Sequence, residues 1–291
     1  MVELSLSDTE FKRLQEYIHS LCGIYVQEAK KYLILQRLED LVREYGYDTF
    51  SEFTTCLLHE PPVELREKLI SAITTNETSF FRDTHPFIAF EQELLPVLGE
   101  RIKRQKKEAR EGEPRPKIWI MCAGASTRQE PYSLAMIISD YLEKHCFLGV
   151  EKKDFRILAT DISERVLARA RQGEFHAVDI TRGLGPERLE KHFEQDGQLW
   201  RIKDCLRDMV EFRKMNLVEP MHLFACFDII FCRNVLIYFD DATKKTIVDQ
   251  FARKLNSGGH LVLGSAENLY NLGVRFKSVQ IGETIVYQKI E

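Results

Sequence analysis

The sequence predicts an α/β fold: a mostly parallel sheet with helices on both faces, preceded by an all-helical unit and carrying a small inserted β-subdomain. Three observations predict it. Beyond residue 87, short apolar runs alternate with helical stretches, the mark of a parallel sheet wound by crossover helices. Residues 8 to about 75 show helical spacing only, and residues 183–209 break the alternation with a hairpin signal.

In the helical unit the apolar residues Phe11, Leu14, Ile18 and Leu21, then Leu38, Leu41, Val42 and Tyr45, then Leu65, Leu69 and Ile73 recur three or four apart. Gly23, Gly46 and Pro61-Pro62 punctuate them. Lys30 and Arg37, seven apart, fall on one helix face, expected to be a solvated surface or a site for an acidic partner. The sheet strands are expected at 118–122, 155–159, 210–213, 227–232 and 260–263, with a closing hairpin over 275–288. Helices are expected at 87–108, 131–145, 163–172 and 241–255, with a short one at 186–193. The run 101–117 is dense in Lys, Arg and Glu and ends in Pro114 and Pro116, so it reads as a helix end and surface linker; it lacks the aromatics that stack bases. These signals divide the chain into a helical domain over 1–75 and a larger domain over 76–291 that holds the insertion at 183–209.

With 291 residues, 44% of them hydrophobic, the chain can bury two cores. The 41 basic and 45 acidic side chains nearly cancel, so bulk charge recruits neither nucleic acid nor anionic lipid. The seven cysteines are scattered, with neither metal-like pairs nor a disulfide ladder, which fits a reducing cytoplasm and no metal site. No apolar run approaches the roughly 20 residues that span a bilayer, so the expectation is a soluble, cytoplasmic protein.

In such a sheet the ligand lies beyond the carboxyl ends of the strands. The first strand runs into Gly124, with Ser126 or Thr127 placed to cap a helix opened by Pro131. Glu130, Asp161, Asn216, Arg233 and Asn234 follow the strand ends. A pyrophosphate needs a run of glycines, or a glycine-rich loop ending in Lys, and this turn has one early glycine. S-adenosylmethionine has no phosphate, and Asp161 suits its ribose hydroxyls, so a Rossmann-like methyltransferase is the physical inference.

Five stretches then resemble one family in order. Thr74-Thr75-Asn76-Glu77-Thr78-Ser79-Phe80-Phe81-Arg82, Ser126-Thr127 with Glu130-Pro131-Tyr132-Ser133, Ala159-Thr160-Asp161-Ile162, Asn216-Leu217, and Cys232-Arg233-Asn234-Val235-Leu236-Ile237-Tyr238-Phe239 are similar to the CheR-type chemotaxis receptor methyltransferases. The resemblance implies the class I methyltransferase version of the fold. It implies a glutamate O-methyltransferase that uses S-adenosylmethionine, releases S-adenosylhomocysteine, and acts on the cytoplasmic helical domain of chemoreceptors. It implies cofactor contacts at Asn76, Thr78, Arg82, Glu130, Asp161, Asn216, Leu217, Asn234 and Val235, with Arg82 and Tyr238 orienting the reacting groups. A glutamate carboxylate is already ionised near pH 7, so alignment rather than a general base is required.

Two departures stand out. The family has Gly-Glu where this chain has Arg128-Gln129. Arg128 is expected to point its guanidinium at solvent or at the cofactor's carboxylate, the alternative being that it crowds the pocket. The turn Glu194-Gln195-Asp196-Gly197-Gln198 is shorter than in members that grip a receptor tail, so no dependence on that tether is expected. Two other readings stay open: a catalytically silent module that binds receptor or cofactor, and a methyltransferase for another carboxylate or amine.

Overall fold

The computed structural model describes residues 4–75, 77–110, 112–146, 149–223 and 225–290. Helices α1 (Asp8–Cys22), α2 (Lys31–Glu44), α3 (Phe50–Leu58) and α4 (Val63–Ile73) form the N-terminal unit. Ser7 opens α1 with a capping box, accepting from the Glu10 N–H while the Glu10 carboxylate takes the Ser7 N–H at 2.7 Å. The apolar stripes of these helices meet in one core that includes Leu14, Ile18, Leu38, Phe50, Phe53, Leu65 and Leu69. Arg37 is not a free surface cation: it donates to the Ile73 carbonyl (2.7 Å) and to Thr75 Oγ1 (2.9 Å), stapling α2 to the chain that leaves α4.

The larger unit opens with α5 (His85–Ala89), a single π-helical turn at Phe90–Leu94, and α6 (Leu95–Glu108). Then come β1 (Ile118–Ala123), α7 (Gln129–Lys144), β2 (Phe155–Asp161), α8 (Glu164–Gln172), β3 (Glu174–His176), α9 (Ala177–Thr181), α10 (Pro186–His192), β4 (Phe193–Asp196), β5 (Leu199–Ile202), α11 (Asp204–Arg207), β6 (Val210–Lys214), β7 (Phe227–Cys232), α12 (Asp241–Lys254), β8 (Leu255–Leu263), β9 (Phe276–Ile281) and β10 (Thr284–Lys289). The main sheet has the order β6-β2-β1-β7-β8-β10-β9, parallel from β6 to β8 and antiparallel at β10 and β9.

Successive residues of the central strands feed opposite cores, as an extended chain requires. Ile118, Ile120, Cys122, Ile157, Ala159, Ile229 and Phe231 face the core shared with α5, α6 and α7, whereas Met121, Ala123, Leu158, Ile230 and Cys232 face that of α12. Both faces are therefore covered, and that is why β1, β2 and β7 read as continuous apolar runs rather than alternating ones. From β1 the chain winds outward to β2 and β6, then returns to lay β7 on the other side of β1, so the order reverses between β1 and β7.

Three expectations are corrected. Helix α7 starts at Gln129, with Arg128 in the left-handed conformation (φ 78°, ψ −2°) as its N-cap; neither Ser126 nor Thr127 caps it and Pro131 is its third residue. Strand β8 begins at Leu255, because an irregular first half pairs Leu255 with Phe227 before the ladder resumes at His260 with Ile229. The small sheet is β3-β5-β4, so it starts at Glu174, ahead of the expected 183, and its two turn residues are Gly197 and Gln198. A three-residue strand such as β3 carries too little period for sequence to register.

This small sheet is tied to α7 by one carboxylate. Asp140, on α7, takes Lys191 Nζ at 2.6 Å, lies 2.9 Å from His192 Nε2, and takes Arg188 Nε at 3.4 Å, all three from α10. Burial pushes its carboxyl up, but the hydrogen bonds and charges of His192 and Lys191 outweigh that and hold it well below the usual carboxylate range. A depressed folded pKa adds stability that is present above the unfolded value of about 3.9 and lost as pH falls through the folded one. Asp140→Asn is therefore expected to lower unfolding stability by roughly 2–3 kcal/mol at pH 7, with the difference from wild type shrinking below about pH 4. Urea titrations at both pH values check this, and a deficit independent of pH would contradict it.

Candidate functional site

A single pocket lies where the sheet order reverses. It takes residues from the ends of β1, β2, β6 and β7 and from the link after α4, and encloses about 1000 Å³ of non-protein space counting its open mouth. Thr78, Arg82, Glu130, Asp161, Asn216, Leu217, Asn234, Val235 and Tyr238 all line it. Asn76 lies outside the described residues. Cys22, Ile24, Thr74, Thr75, Met215 and Phe239 complete the wall, so the helical unit supplies one side.

The floor is the turn after β1. Gly124 has φ +73°, and a Cβ there would stand 2.5 Å from Val235 Cγ2, so glycine is what lets the two loops close on each other. The Gly124 and Ala125 N–H groups both donate to the Thr160 carbonyl, at 2.9 and 2.8 Å. Asp161 then fixes the turn: its Oδ2 accepts from the Ser126 N–H (2.9 Å) and its Oδ1 from the Ser163 N–H (3.0 Å). Burial pushes the Asp161 carboxyl up, against the N–H donors that favour its charge.

Arg233, which sequence reasoning placed at a strand end without giving it a role, is the hub of the far wall. Its side chain is 2% exposed and pairs with Glu130 Oε2 (3.0 Å) and Asp83 Oδ2 (3.0 Å) while donating to the Arg82 carbonyl (2.6 Å). Burial pushes the Glu130 carboxyl up, and Arg233 opposes the shift. Arg82 donates to the Glu77 carbonyl (2.9 Å), and Glu77 pairs with Arg182 at 3.0 Å. Glu267, a second residue missed from sequence, accepts from four backbone N–H groups of the β7 and β8 exits. Its local bond to Gly264 gives no hint of this, because the other three partners lie thirty or more residues away.

The helical unit is docked at the pocket rim. Tyr25 N–H donates to the Tyr238 carbonyl (2.8 Å), Ile24 bridges Phe239, and His19 lies 3.0 Å from Asp240. The Asn216 amide spends its N–H2 on the Leu21 carbonyl (3.0 Å) and on Glu219 (3.0 Å), and Asn216 and Leu217 both line the cavity. Among the described residues three buried polar atoms of the wall have no partner within the protein: Ser126 Oγ, Asn234 Oδ1 and Arg233 Nε, the last on a guanidinium whose other nitrogens are paired. One hydroxyl and one acceptor left open in a cradle without a phosphate loop fit a nucleoside carrying hydroxyl, amine and amide-like groups, as S-adenosylmethionine does.

Arg128 follows neither expected course. Its guanidinium turns away from pocket and solvent to lie 4.3 Å from the Phe175 ring centre, with Nη1 donating to the Arg169 carbonyl at 2.5 Å. The residue is 8% exposed and is absent from the pocket lining. Burial pulls its pKa down. The left-handed backbone costs about 1 kcal/mol, which a desolvated cation–π contact of about 2 kcal/mol can offset. Gln129 is buried beside it and accepts from Thr127 Oγ1 at 2.8 Å. Cys122 and Cys232 are buried, with thiols that burial pushes well up, so they act as packing groups. Because Arg128 leaves the cavity free, Arg128→Gly is expected to change S-adenosylmethionine affinity less than about threefold by calorimetry, below about 0.7 kcal/mol. A tenfold gain would mean that the arginine crowds the site.

Comparison with known proteins agrees with this geometry. Residues 9–74 match the family model "CheR methyltransferase, all-alpha domain", and residues 76–285 match "CheR methyltransferase, SAM binding domain". The chain is 35% identical over 286 residues to the "Chemotaxis protein methyltransferase Cher2" of Pseudomonas putida, covering 98% of this chain and 99% of that one. It is 37% identical to "Chemotaxis protein methyltransferase 1" of Pseudomonas aeruginosa, with the same coverage, and 37% identical to the "Chemotaxis protein methyltransferase" of Vibrio parahaemolyticus, covering 99% of each. The chain belongs to the CheR methyltransferase family, and most of the residues lining its pocket at the β1–β7 reversal fall within 76–285, the stretch matched to the SAM binding domain.

Proposed function

We propose that this protein transfers a methyl group from S-adenosylmethionine to glutamate side-chain carboxylates on the cytoplasmic helical domain of chemoreceptors, and so sets their adaptation. What supports the reading is the placing of Arg82 and Tyr238 on the wall of a cofactor pocket whose mouth is shared by the helical unit. S-adenosylmethionine supplies an electrophilic methyl group on a sulfonium when bound. The residues of this chain then have to bind, orient and exclude water. Asp161 and Glu130 are the acceptors for hydroxyl and amine groups, Ser126 and Asn234 offer the unpartnered atoms, and Leu217 and Val235 give apolar cover.

An ionised glutamate needs no base, and the pocket lining offers no histidine. Arg82 would hold a carboxylate through its planar fork and Tyr238 would orient the attacking oxygen, so that alignment supplies most of the rate. The helical unit would contact the receptor bundle as well as cover the cofactor. Among the described residues no helix is long and apolar enough to cross a membrane, in keeping with a cytoplasmic site of action beside the receptor. The β4–β5 connection is only two residues long, which supports a substrate encounter that does not depend on a receptor tail.

Labelled methyl transfer from S-adenosylmethionine to purified receptor cytoplasmic fragments, with the modified side chain identified as glutamate, tests the reading; cofactor binding without transfer would overturn it. Arg82→Ala is expected to lower kcat/KM by about a hundredfold or more, near 2.7 kcal/mol of transition-state stabilisation, while circular dichroism stays as in wild type. Full activity of that variant would remove Arg82 from the mechanism. A receptor-tail peptide is expected to show no saturable binding below about 1 mM, roughly −4 kcal/mol, in a calorimetric titration.

A further inference from the structure

Glu267 stands outside the pocket lining, yet it bonds to the backbone of two segments, the 234–237 turn after β7 and Gly264 after β8. Its Oε2 accepts from the Asn234 N–H at 2.7 Å and the Gly264 N–H at 2.7 Å. Its Oε1 accepts from the Val235 N–H at 2.9 Å and the Ile237 N–H at 3.3 Å. Asn234 and Val235 line the cavity, and Ile237 precedes Tyr238 in the same tight turn.

Asn234 has φ +59°, a left-handed conformation that a residue with a Cβ rarely adopts. Three N–H groups of the turn, those of Asn234, Val235 and Ile237, converge on one carboxylate just past the last β7–β8 pair, Cys232 with Leu263. A carboxylate is the one side chain with acceptors on both oxygens and no donor, so it satisfies all four N–H groups at once. The approach is also tight: a Cβ on Gly264 would come within 2.8 Å of both Glu267 Oε2 and Asn234 Nδ2, so the loop keeps a glycine where the carboxylate enters.

We propose that Glu267 is a positioning residue that clasps the Asn234–Tyr238 wall in the conformation that receives S-adenosylmethionine; this rests on the pocket assignment above. Through Val235 the clasp also sets the floor, because Val235 is the side chain that closes on Gly124. Glutamine at this position would aim an N–H2 group at two N–H donors, while aspartate is one carbon too short to span the four.

The test uses the full chain, with Glu267→Gln and Glu267→Asp. Calorimetric titration with S-adenosylmethionine and with S-adenosylhomocysteine is expected to show a loss of affinity of at least tenfold in both variants. In steady-state assays KM for S-adenosylmethionine is expected to rise by a similar factor while KM for the methyl-accepting protein stays within about twofold. Unchanged cofactor affinity overturns the proposal, and so does an equal rise in both KM values together with a fall in the thermal midpoint, which marks a residue that merely stabilises the domain. Should the variants not fold, amide exchange in the wild type decides: slow exchange at Asn234, Val235 and Ile237 without cofactor supports the clasp, and fast exchange there removes it. A wild-type protein that fails to bind S-adenosylmethionine contradicts the pocket assignment itself, a result distinct from any of these.

Discussion

The pocket depends on a buried guanidinium. Arg233, at the end of β7, holds Glu130 of α7, Asp83 before α5, and the Arg82 carbonyl in one cluster, with the Phe87 ring 5.1 Å from its carbon. Two segments, each more than a hundred residues before Arg233 in the chain, are thus fixed to one point. Removing one partner from such a buried ion pair typically costs about 3–5 kcal/mol, because the remaining charge is left uncompensated. The cluster is therefore a constraint on geometry more than a source of net stability. It makes the wall that carries Arg82 move only with the floor that carries Glu130.

Around this point the protein is assembled from parts that each need the others. The helical unit has its own core, but the end of α1 is spent on the large unit through Leu21, Ile24 and Tyr25. The small sheet reaches the same region through aromatic packing, with Phe175 of β3 5.0 Å from Phe80 and 5.7 Å from Phe193. Phe80 lies just before the Arg82 segment, so a shift of the small sheet would be felt at the pocket wall. Arg128 joins that packing from the floor side by covering Phe175. A residue that reads as an intrusion on the cofactor turn is, in three dimensions, a strut between the turn, α8 and the small sheet.

The chemistry fits this arrangement. On the proposed reading a carboxylate nucleophile brings its own charge and a sulfonium its own leaving group, which leaves alignment and exclusion of water to the protein. The carboxylates and guanidiniums that line the cavity, among them Glu130, Asp161, Arg82 and Arg233, are held by backbone groups and by one another.

Much of this was legible in the chain. Continuous apolar runs marked strands buried on both faces, helical spacing marked the N-terminal unit, and a lone early glycine excluded phosphate ligands. Glu130, Asp161, Asn216 and Asn234 were legible because they follow strand ends, where a parallel sheet presents its ligands, whereas Thr78 and Arg82, in the link after α4, came from the family resemblance. What stayed hidden was whatever depends on side-chain direction or on partners far apart in sequence. The start of α7 was hidden because a left-handed arginine leaves no capping signature, and the extent of the small sheet because β3 is three residues long. The sequence by itself determined the order of the elements and the chemistry at their ends, since both follow from local periodicity and residue type. Only the tertiary structure decided where Arg128 points, which carboxylates Arg233 joins, and that Glu267 holds the wall, since those outcomes depend on which distant groups burial leaves within hydrogen-bond reach.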